Sequence, residues 1–258
     1  MNVLERIVSG VREETARRRT EVPLAELERE AAGRRDFRDF TQALKAPGLS
    51  VIAEHKRRSP SAGAIREDLE LEDVVSAYER AGASAVSVLT EGPNFGGQLD
   101  DLRRARRASA LPILRKDFVV DSYQLAEAQA GGADAVLLIV AALSVDALER
   151  LYREAAERGL AVLVEVHDAA ELEVAVDLGA PIIGINNRDL TTLQVNPGTT
   201  YELAPRLAPE TIVVAESGFR SRAELDALAQ GGVDAVLIGE ALMRSPDIEA
   251  ACRALTAA

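Results

Sequence analysis

Ionisable and polar side chains recur in this 258-residue sequence directly after short apolar segments. These positions are Glu54 with Lys56, Thr90 with Glu91, Lys116 with Asp117, Glu165, Asn186 with Arg188, Glu216 with Ser217, and Gly239 with Glu240. If the fold brings these groups together where water is largely excluded, the desolvation of each one costs several kcal/mol. Proteins seldom keep such a cluster unless function needs shifted pKa values. The pattern predicts proton-transfer chemistry, and salt-bridged layers are the structural alternative for any single residue.

Lysine is rare in the sequence. Only Lys45, Lys56 and Lys116 are lysine among the 30 basic residues, and all the others are arginine. Arginine stays protonated at any relevant pH, whereas a lysine pKa can shift until the side chain donates and accepts protons. Lys56 and Lys116 follow apolar segments and are candidate acids, whereas chance explains Lys45 in a polar N-terminal stretch.

Two segments have the composition of an anion site. Residues 215–218 read AESG and residues 237–240 read LIGE, and each is followed by a helical stretch. Small residues at a helix start expose backbone N–H groups, which bind phosphate together with the helix dipole. Ser59 and Ser61 can add hydroxyl donors. The glycines could instead serve only to make turns, but the pattern favours a phosphate site.

Eight short apolar segments must position these residues. They cover 51–53, 85–89, 112–114, 135–140, 161–166, 182–185, 212–215 and 235–238. Because they are apolar almost throughout rather than alternating, they indicate parallel strands that are covered on both faces. Stretches with charge on one side lie between them and predict helices at 71–81, 99–108, 122–130, 145–158, 169–178 and 222–229.

Strict alternation of strands and helices, together with the length, predicts one (β/α)8 TIM barrel over residues 1–258. Residues 1–48 hold no strand candidate, and helical patterns at 3–19 and 24–32 predict an N-terminal helical extension packed on the barrel. Glycines at 82, 132, 179 and 232 each precede a strand and are expected to end helices in a left-handed cap. A doubly wound sheet usually opens with a glycine-rich fingerprint after its first strand, but here that strand runs into Glu54.

Composition excludes several classes of function. A net charge of −12 disfavours nucleic acid and acidic membrane surfaces as general partners. No run of 18 apolar residues predicts a membrane span, and residues 1–9 do not form a signal-peptide pattern. The single cysteine, Cys252, fits a reducing compartment. We therefore expect a cytoplasmic monomer whose only partner is a small phosphorylated substrate.

The segment 52–61, IAEHKRRSPS, resembles the E-x-K-x-x-S-P-S motif of indole-3-glycerol phosphate synthases. Further stretches resemble that family in the same order along most of the chain: SVLTE at 87–91, FGG at 95–97, LRKDF at 114–118, LLI at 137–139, VEVH at 164–167, GINNRDL at 184–190 and AESG at 215–218. The resemblance implies conversion of 1-(2-carboxyphenylamino)-1-deoxyribulose 5-phosphate to indole-3-glycerol phosphate in tryptophan biosynthesis. Carbon dioxide and water are lost, and no metal or organic cofactor is used.

The resemblance also implies roles at matching positions. Lys116 would be the general acid, Glu165 the base, and Glu54 a helper in the dehydration. Lys56 would hold the substrate carboxylate and is a second candidate proton donor, so the division between the two lysines stays open. The implied substrate contacts are Asn186 and Arg188 for orientation, Phe95, Phe118 and Leu137 for the anthranilate ring, Ser59, Ser217, Gly218, Gly239 and Glu240 for the phosphate, and Leu190, Glu216 and Leu237 in the same pocket.

Three expectations concern residues beside this set. Strand parity directs His55 away from the pocket, and the side chain of Glu240 must turn away from a phosphate bound at its backbone N–H. His55 and His167 without a third ligand make a weak metal site, so no metal is expected. One alternative is a phosphoribosyl isomerase, which needs no second lysine. The other is a barrel without catalytic activity that only binds a phosphorylated metabolite, which should have lost one or more of Glu54, Lys56, Lys116 and Glu165.

Overall fold

The computed structural model describes residues 2–257, and its centre is a closed barrel of parallel strands. The strands are β1 (Ser50–His55), β2 (Ala85–Leu89), β3 (Ile113–Lys116), β4 (Ala135–Ile139), β5 (Ala161–Val166), β6 (Ile182–Asn186), β7 (Ile212–Glu216) and β8 (Ala235–Ile238). Each strand pairs in parallel with the next, and β8 closes on β1 with Ser50 opposite Ala235. The predicted (β/α)8 barrel is confirmed.

Alternate residues of each strand point into the barrel. Ile52, Leu114 and Leu163 belong to the interior cluster, whereas Val51 and Val136 face the surrounding helices in a separate cluster. Side chains of a strand alternate between faces, so this inward parity continues to the carboxyl end of every strand. The inward positions at those ends are Glu54, Lys116, Glu165, Asn186, Glu216 and Gly239.

The helices that surround the barrel follow the predicted stretches closely. They are α4 (Leu71–Arg80), α5 (Asp100–Ala108), α6 (Ser122–Gly131), α7 (Val145–Glu157), α8 (Ala169–Asp177), α9 (Gly198–Leu203), α10 (Arg222–Gln230), α11 (Glu240–Met243) and α12 (Ile248–Thr256). Gly82, Gly132, Gly179 and Gly232 all have positive φ, between 72° and 95°, as the left-handed caps require. The short helix α9 was not predicted.

The N-terminal extension consists of α1 (Val3–Glu21), α2 (Leu24–Ala32) and α3 (Phe40–Leu44). Helix α1 contributes its apolar side to the barrel's interior cluster, and α2 packs along α6. Helix α3 closes the opposite end, where Phe40 and Leu44 are almost fully buried and the Ser50 hydroxyl donates to the carbonyl of Ala43. The extension therefore reaches both ends of the barrel.

Strand β3 is longer than the apolar segment that predicted it. It continues through Arg115 and Lys116, although both are charged. Arg115 points outward into a buried set of polar partners, and Lys116 points into the barrel mouth. Charged residues extend this strand because each finds opposite charge on its own face. Beyond β1, a short antiparallel hairpin pairs Arg58–Ser59 with Gly63–Ala64.

Candidate active site

A cavity of about 710 Å³ opens at the carboxyl ends of the strands. Every residue proposed above for catalysis or substrate binding lies in its lining: Glu54, Lys56, Ser59, Phe95, Lys116, Phe118, Leu137, Glu165, Asn186, Arg188, Leu190, Glu216, Ser217, Gly218, Leu237, Gly239 and Glu240. These residues come from all parts of the chain. Strand parity aims the strand residues among them into the barrel mouth, and the segments that follow the strands supply the others.

Lys116 lies at the centre of the charged cluster. Its Nζ donates to Glu165 Oε2 at 2.9 Å and lies 3.4 Å from Glu216 Oε2. Asn186 donates through Nδ2 to the other Glu165 oxygen at 3.2 Å. A candidate acid and a candidate base therefore touch each other, and a neutral amide fixes the orientation of the base.

A second ion pair lies on β1. Lys56 Nζ is 2.7 Å from Glu54 Oε1, and the Ser87 hydroxyl lies 3.4 Å from Glu54 Oε2. The Glu54 side chain fits only because residue 239 is glycine, since a Cβ there would lie 2.5 Å from Glu54 Oε1. Gly184 makes the same kind of room for Glu216. Two glycines thus create space for two of the buried carboxylates.

Burial and neighbouring charges shift the pKa values of this cluster. Burial acts to lower the pKa of Lys116, but the carboxylates of Glu165, Glu216 and Glu54 outweigh it and raise that pKa above its usual range. Burial acts to raise the pKa of Glu165, yet Lys116 and His167 hold it below its usual range. Burial raises the pKa of Glu216 to about 8, with repulsion from Glu165 and Glu54 adding to it against the attraction of Lys116. The cluster therefore favours an ionised Glu165 beside the Lys116 ammonium, and Glu216 is the carboxyl group that is easier to protonate.

The far side of the cavity has the form of an anion site. Ser217 and Gly218 follow β7 with φ of 63° and 97°, so two successive left-handed residues turn their backbone toward the cavity. Asn187 holds this turn by donating to the Ser217 carbonyl at 3.0 Å. Gly239 opens α11 at the same rim.

An apolar wall faces the charged cluster. The rings of Phe95 and Phe118 lie 6.2 Å apart and tilted by 42°, and Leu137 lies beside them in the cavity lining. Helix α1 completes the wall with Leu4 and Ile7. Such a wall suits a planar aromatic ring.

Four other titratable side chains near the strand ends lie outside the charged cluster. His55 is buried outside the cavity lining, as parity required, and burial with the charge of Arg57 lowers its pKa to about 4. The Glu240 carboxylate pairs with Arg244 at 3.0 Å, so it is directed along its own helix. Two strand-end residues serve structure instead: Asp117 pairs with Arg115, and Glu91 accepts from the backbone of Asn94.

Sequence reasoning missed several residues. Val3, Leu4 and Ile7 line the cavity, although the apolar stripe of α1 indicated only a packed helix. Leu193, Val195 and Pro197 enter from the irregular segment after β6, where no sequence pattern marked them. His167 contacts Glu165, and its place two residues after Glu165 on the same strand face was the available sign.

The described residues 2–257 contain no cluster of three or more histidine, cysteine, aspartate or glutamate side chains arranged for a metal ion. None of their helices combines the length and apolar character needed to cross a bilayer.

Comparison with known proteins identifies a family. The family model described as "Indole-3-glycerol phosphate synthase" matches residues 4–255. A relative named indole-3-glycerol phosphate synthase 1 from Streptomyces coelicolor is 48% identical, over 100% of this chain and 96% of the relative. Indole-3-glycerol phosphate synthase from Azoarcus sp. strain BH72 is also 48% identical, over 98% of both chains.

Solved structures of lower identity share the fold. The chain resembles 3-hexulose-6-phosphate synthase from Salmonella typhimurium with a TM-score of 0.64 and 15% identity, covering 81% of this chain and 97% of that one. It resembles a thiamine phosphate pyrophosphorylase from Pyrococcus furiosus with a TM-score of 0.59 and 20% identity, covering 80% and 93%. At such identity the likeness concerns the barrel alone.

Proposed function

Because the chain belongs to the indole-3-glycerol phosphate synthase family, we propose that the charged groups at its barrel mouth close and dehydrate the five-membered ring of the product. The chain is a carboxy-lyase that forms indole-3-glycerol phosphate in tryptophan biosynthesis. The observation that carries the assignment of roles is the contact of Lys116 with Glu165 inside the cavity, at 2.9 Å.

The reaction sets the number of protons that these groups must move. The ring carbon that bears the carboxylate attacks the ribulose carbonyl, and the carbonyl oxygen takes one proton. Carbon dioxide then leaves, and its bonding electrons restore the aromatic ring. Loss of the hydroxyl as water takes a second proton, while one proton is removed from the neighbouring methylene carbon. One proton is therefore taken up from solvent in each turnover, and the site needs both acids and a base.

Lys116 is the acid for ring closure in this proposal. Its ammonium is surrounded by carboxylates at the centre of the cavity, where a substrate carbonyl can replace one of them as hydrogen-bond acceptor. Glu165 is the base, because the structure keeps it ionised and Asn186 holds its second oxygen. A proton donor and a proton acceptor within one hydrogen bond of each other can serve successive steps on the same carbon skeleton.

The pair of Glu54 and Lys56 supports dehydration and substrate binding. Lys56 offers an ammonium to the departing carboxylate, and Glu54 assists expulsion of the hydroxyl. The apolar wall of Phe95, Phe118 and Leu137 receives the aromatic ring. The phosphate binds on the side of the cavity away from this wall, to the backbone of Ser217, Gly218, Gly239 and Glu240 and to the hydroxyl of Ser59. The part of the substrate between the aromatic ring and the phosphate contacts Arg188, Leu190, Glu216 and Leu237.

The remaining features of the proposal concern the environment of the protein. We expect a cytoplasmic monomer that uses no cofactor, as the family resemblance implies. The charge of −12 disfavours nucleic acid, acidic membrane surfaces and a second copy as partners. Large exposed apolar side chains among the described residues, such as Leu24, Val145 and Val176, lie on three different helices. Sedimentation at micromolar concentration should give the chain mass of 27.6 kDa, and a dimer mass would contradict the monomer.

The activity can be tested directly because the chain contains no tryptophan. Mixing the enzyme with the carboxyphenylamino-deoxyribulose phosphate should produce indole fluorescence, with the same rate in EDTA. Glu165→Gln should lower kcat by about 10²–10⁴-fold, the usual range for loss of a general base. Glu157→Gln, an exposed carboxylate at the end of α7, is the matched control and should retain the full rate.

A wild-type chain without fluorescence gain would refute the activity. Full activity in Glu165→Gln would remove Glu165 from the role of base while leaving the activity itself intact.

A further inference from the structure

His167 lies behind the candidate base and outside the cavity lining. It follows β5 two residues after Glu165, and its Nε2 is 3.2 Å from Glu165 Oε1. This Nε2 is buried and has no well-directed hydrogen bond among the described residues. The ring therefore directs one nitrogen at the carboxylate that the reaction uses, without touching the substrate space.

Glu171 on α8 fixes the imidazole from the other side. One of its oxygens, Oε2, lies 2.9 Å from His167 Nδ1 and also accepts from the His167 backbone N–H at 2.8 Å. The N-cap residue Asp168 in turn accepts from the backbone N–H of Glu171. The Nδ1 contact restrains the ring, and the backbone contact holds the Glu171 carboxylate in place for it. The arrangement is a carboxylate, an imidazole and a carboxylate in line.

The charges around His167 favour its protonated form. Burial acts to lower its pKa, but the close contacts with the carboxylates of Glu165 and Glu171 raise that pKa to about 10. The other charged groups of the cluster, Lys116 on β3 and Glu216 on β7, reach it only through Glu165. At neutral pH Glu165 therefore lies between two cations.

The reaction makes these two cations unequal. Lys116 turns to the substrate carbonyl and gives up its proton during ring closure, so its attraction for Glu165 falls at that moment. A buried carboxylate near Glu216 and Glu54 would then tend to take up a proton. Without a second cation, Glu165 would already be protonated and could not accept the proton that dehydration releases.

Resting on the proposed function, we infer that His167, clamped by Glu171, is a positioning residue that keeps Glu165 ionised after Lys116 has donated its proton. The pair of His167 and Glu171 lets Lys116 act as an acid beside Glu165. Without that pair, Glu165 would take up a proton once Lys116 has lost its charge. His167 itself gains and loses no proton in the cycle. The base accepts the methylene proton and later releases it to the site.

Kinetics of His167→Gln test this inference. Glutamine keeps a neutral donor but removes the positive charge, so the acid limb of the kcat profile, which reports ionisations of the substrate complex, should move up by about 1–3 pH units. On that limb each unit corresponds to about a tenfold lower kcat. The deficit should grow as the pH falls from 8 to 5. Substrate ionisations are the same in every variant and cannot produce a difference between them.

Glu171→Gln should shift the limb in the same direction by less, because it weakens the contact that holds the imidazole ring beside Glu165 without removing the positive charge. The matched control is Glu173→Gln, an exposed carboxylate on the same helix, which should leave the profile unchanged. A loss in His167→Gln that is equal at every pH would mark a purely structural role and overturn the inference. A profile identical to wild type would overturn it too.

A second measurement does not depend on turnover. The chain has only two histidines, so ¹³C-histidine NMR gives two resolvable titrations, and His55→Asn assigns them. His167 should stay protonated to about pH 10 in the wild type, and Glu165→Gln should lower its midpoint by at least about one unit. If His167 titrates near its ordinary value of about 6.5, the inference fails. If the wild type lacks activity but the titration is as expected, only the proposed function fails.

Discussion

At the scale of single residues, the site depends on one ammonium that several carboxylates share. Lys116 contacts Glu165 and Glu216. Burial moves the pKa of all three groups, both carboxylates act on Lys116, and Lys116 acts on both carboxylates. Ion pairing and catalysis are therefore not alternatives here. We propose that the substrate separates these pairs when it enters, so that the same groups stabilise the free enzyme and act on the substrate.

Lys116→Arg tests this view of the acid. Arginine keeps the positive charge and satisfies Glu165, so the fold and substrate binding should survive. Its guanidinium does not release protons near neutral pH, so kcat should fall by about 10²–10⁴-fold. Steady-state kinetics followed by indole fluorescence measures the change, and Lys45→Arg, at an exposed position, is the matched control. Wild-type turnover in Lys116→Arg would exclude Lys116 as the acid.

At the scale of secondary-structure elements, each strand contributes through its parity and each loop through its backbone. The N-terminal extension is not part of the (β/α)8 repeat, yet its helix α1 places Val3, Leu4 and Ile7 in the cavity lining. Leu4 and Ile7 are nearly fully buried against the interior cluster. Helix α1 thus forms part of the apolar wall proposed to receive the aromatic ring.

The double variant Leu4→Ala and Ile7→Ala should raise KM more than it lowers kcat. The lost side chains contact an unreacting part of the substrate, so binding weakens in the ground state and transition state alike. We expect a KM increase of about 10-fold or more, since truncating two buried side chains removes several methylene contacts. Leu24→Ala on α2, whose side chain is 42% exposed, should leave KM unchanged. An unaltered KM in the double variant would remove α1 from the substrate site.

At the scale of the whole molecule, a buried ion network joins the extension to the barrel. Arg115 on β3 is fully buried and lies 2.9 Å from Asp117 and 3.3 Å from Glu127 of α6. Arg18 of α1 reaches the other oxygen of Glu127 at 2.6 Å. Because the network crosses three elements, we propose that residues 1–258 unfold as one domain.

Arg115→Met should lower the free energy of unfolding by about 3–5 kcal/mol, because it leaves the buried Asp117 without its cation and removes one of the two arginines that pair with Glu127. Denaturation followed by circular dichroism and by tyrosine fluorescence should still give one coincident transition. Arg153→Met, an exposed arginine on α7, is the control and should keep the wild-type midpoint. Separate transitions in the two probes would show that the extension and the barrel are distinct units.

The sequence alone determined the barrel, its strand count and most of its mouth. Apolar segments separated by amphipathic ones leave few alternatives, and parity then assigns Glu54, Lys116, Glu165 and Glu216 to one rim. The rarity of lysine pointed to two residues of the cavity lining, Lys56 and Lys116, before any distance was known. Local patterns suffice here because a strand's direction and alternation are local properties.

Only the tertiary structure decided which of these groups touch. The sharing of Lys116 between Glu165 and Glu216, the contact of Glu171 with His167, and the entry of Leu4 and Ile7 into the cavity all join residues from different elements. Parity gives the face of a strand but neither the side-chain rotamer nor the path of a helix across the barrel mouth. Those depend on packing and on the balance of buried charge, which are properties of the assembled molecule.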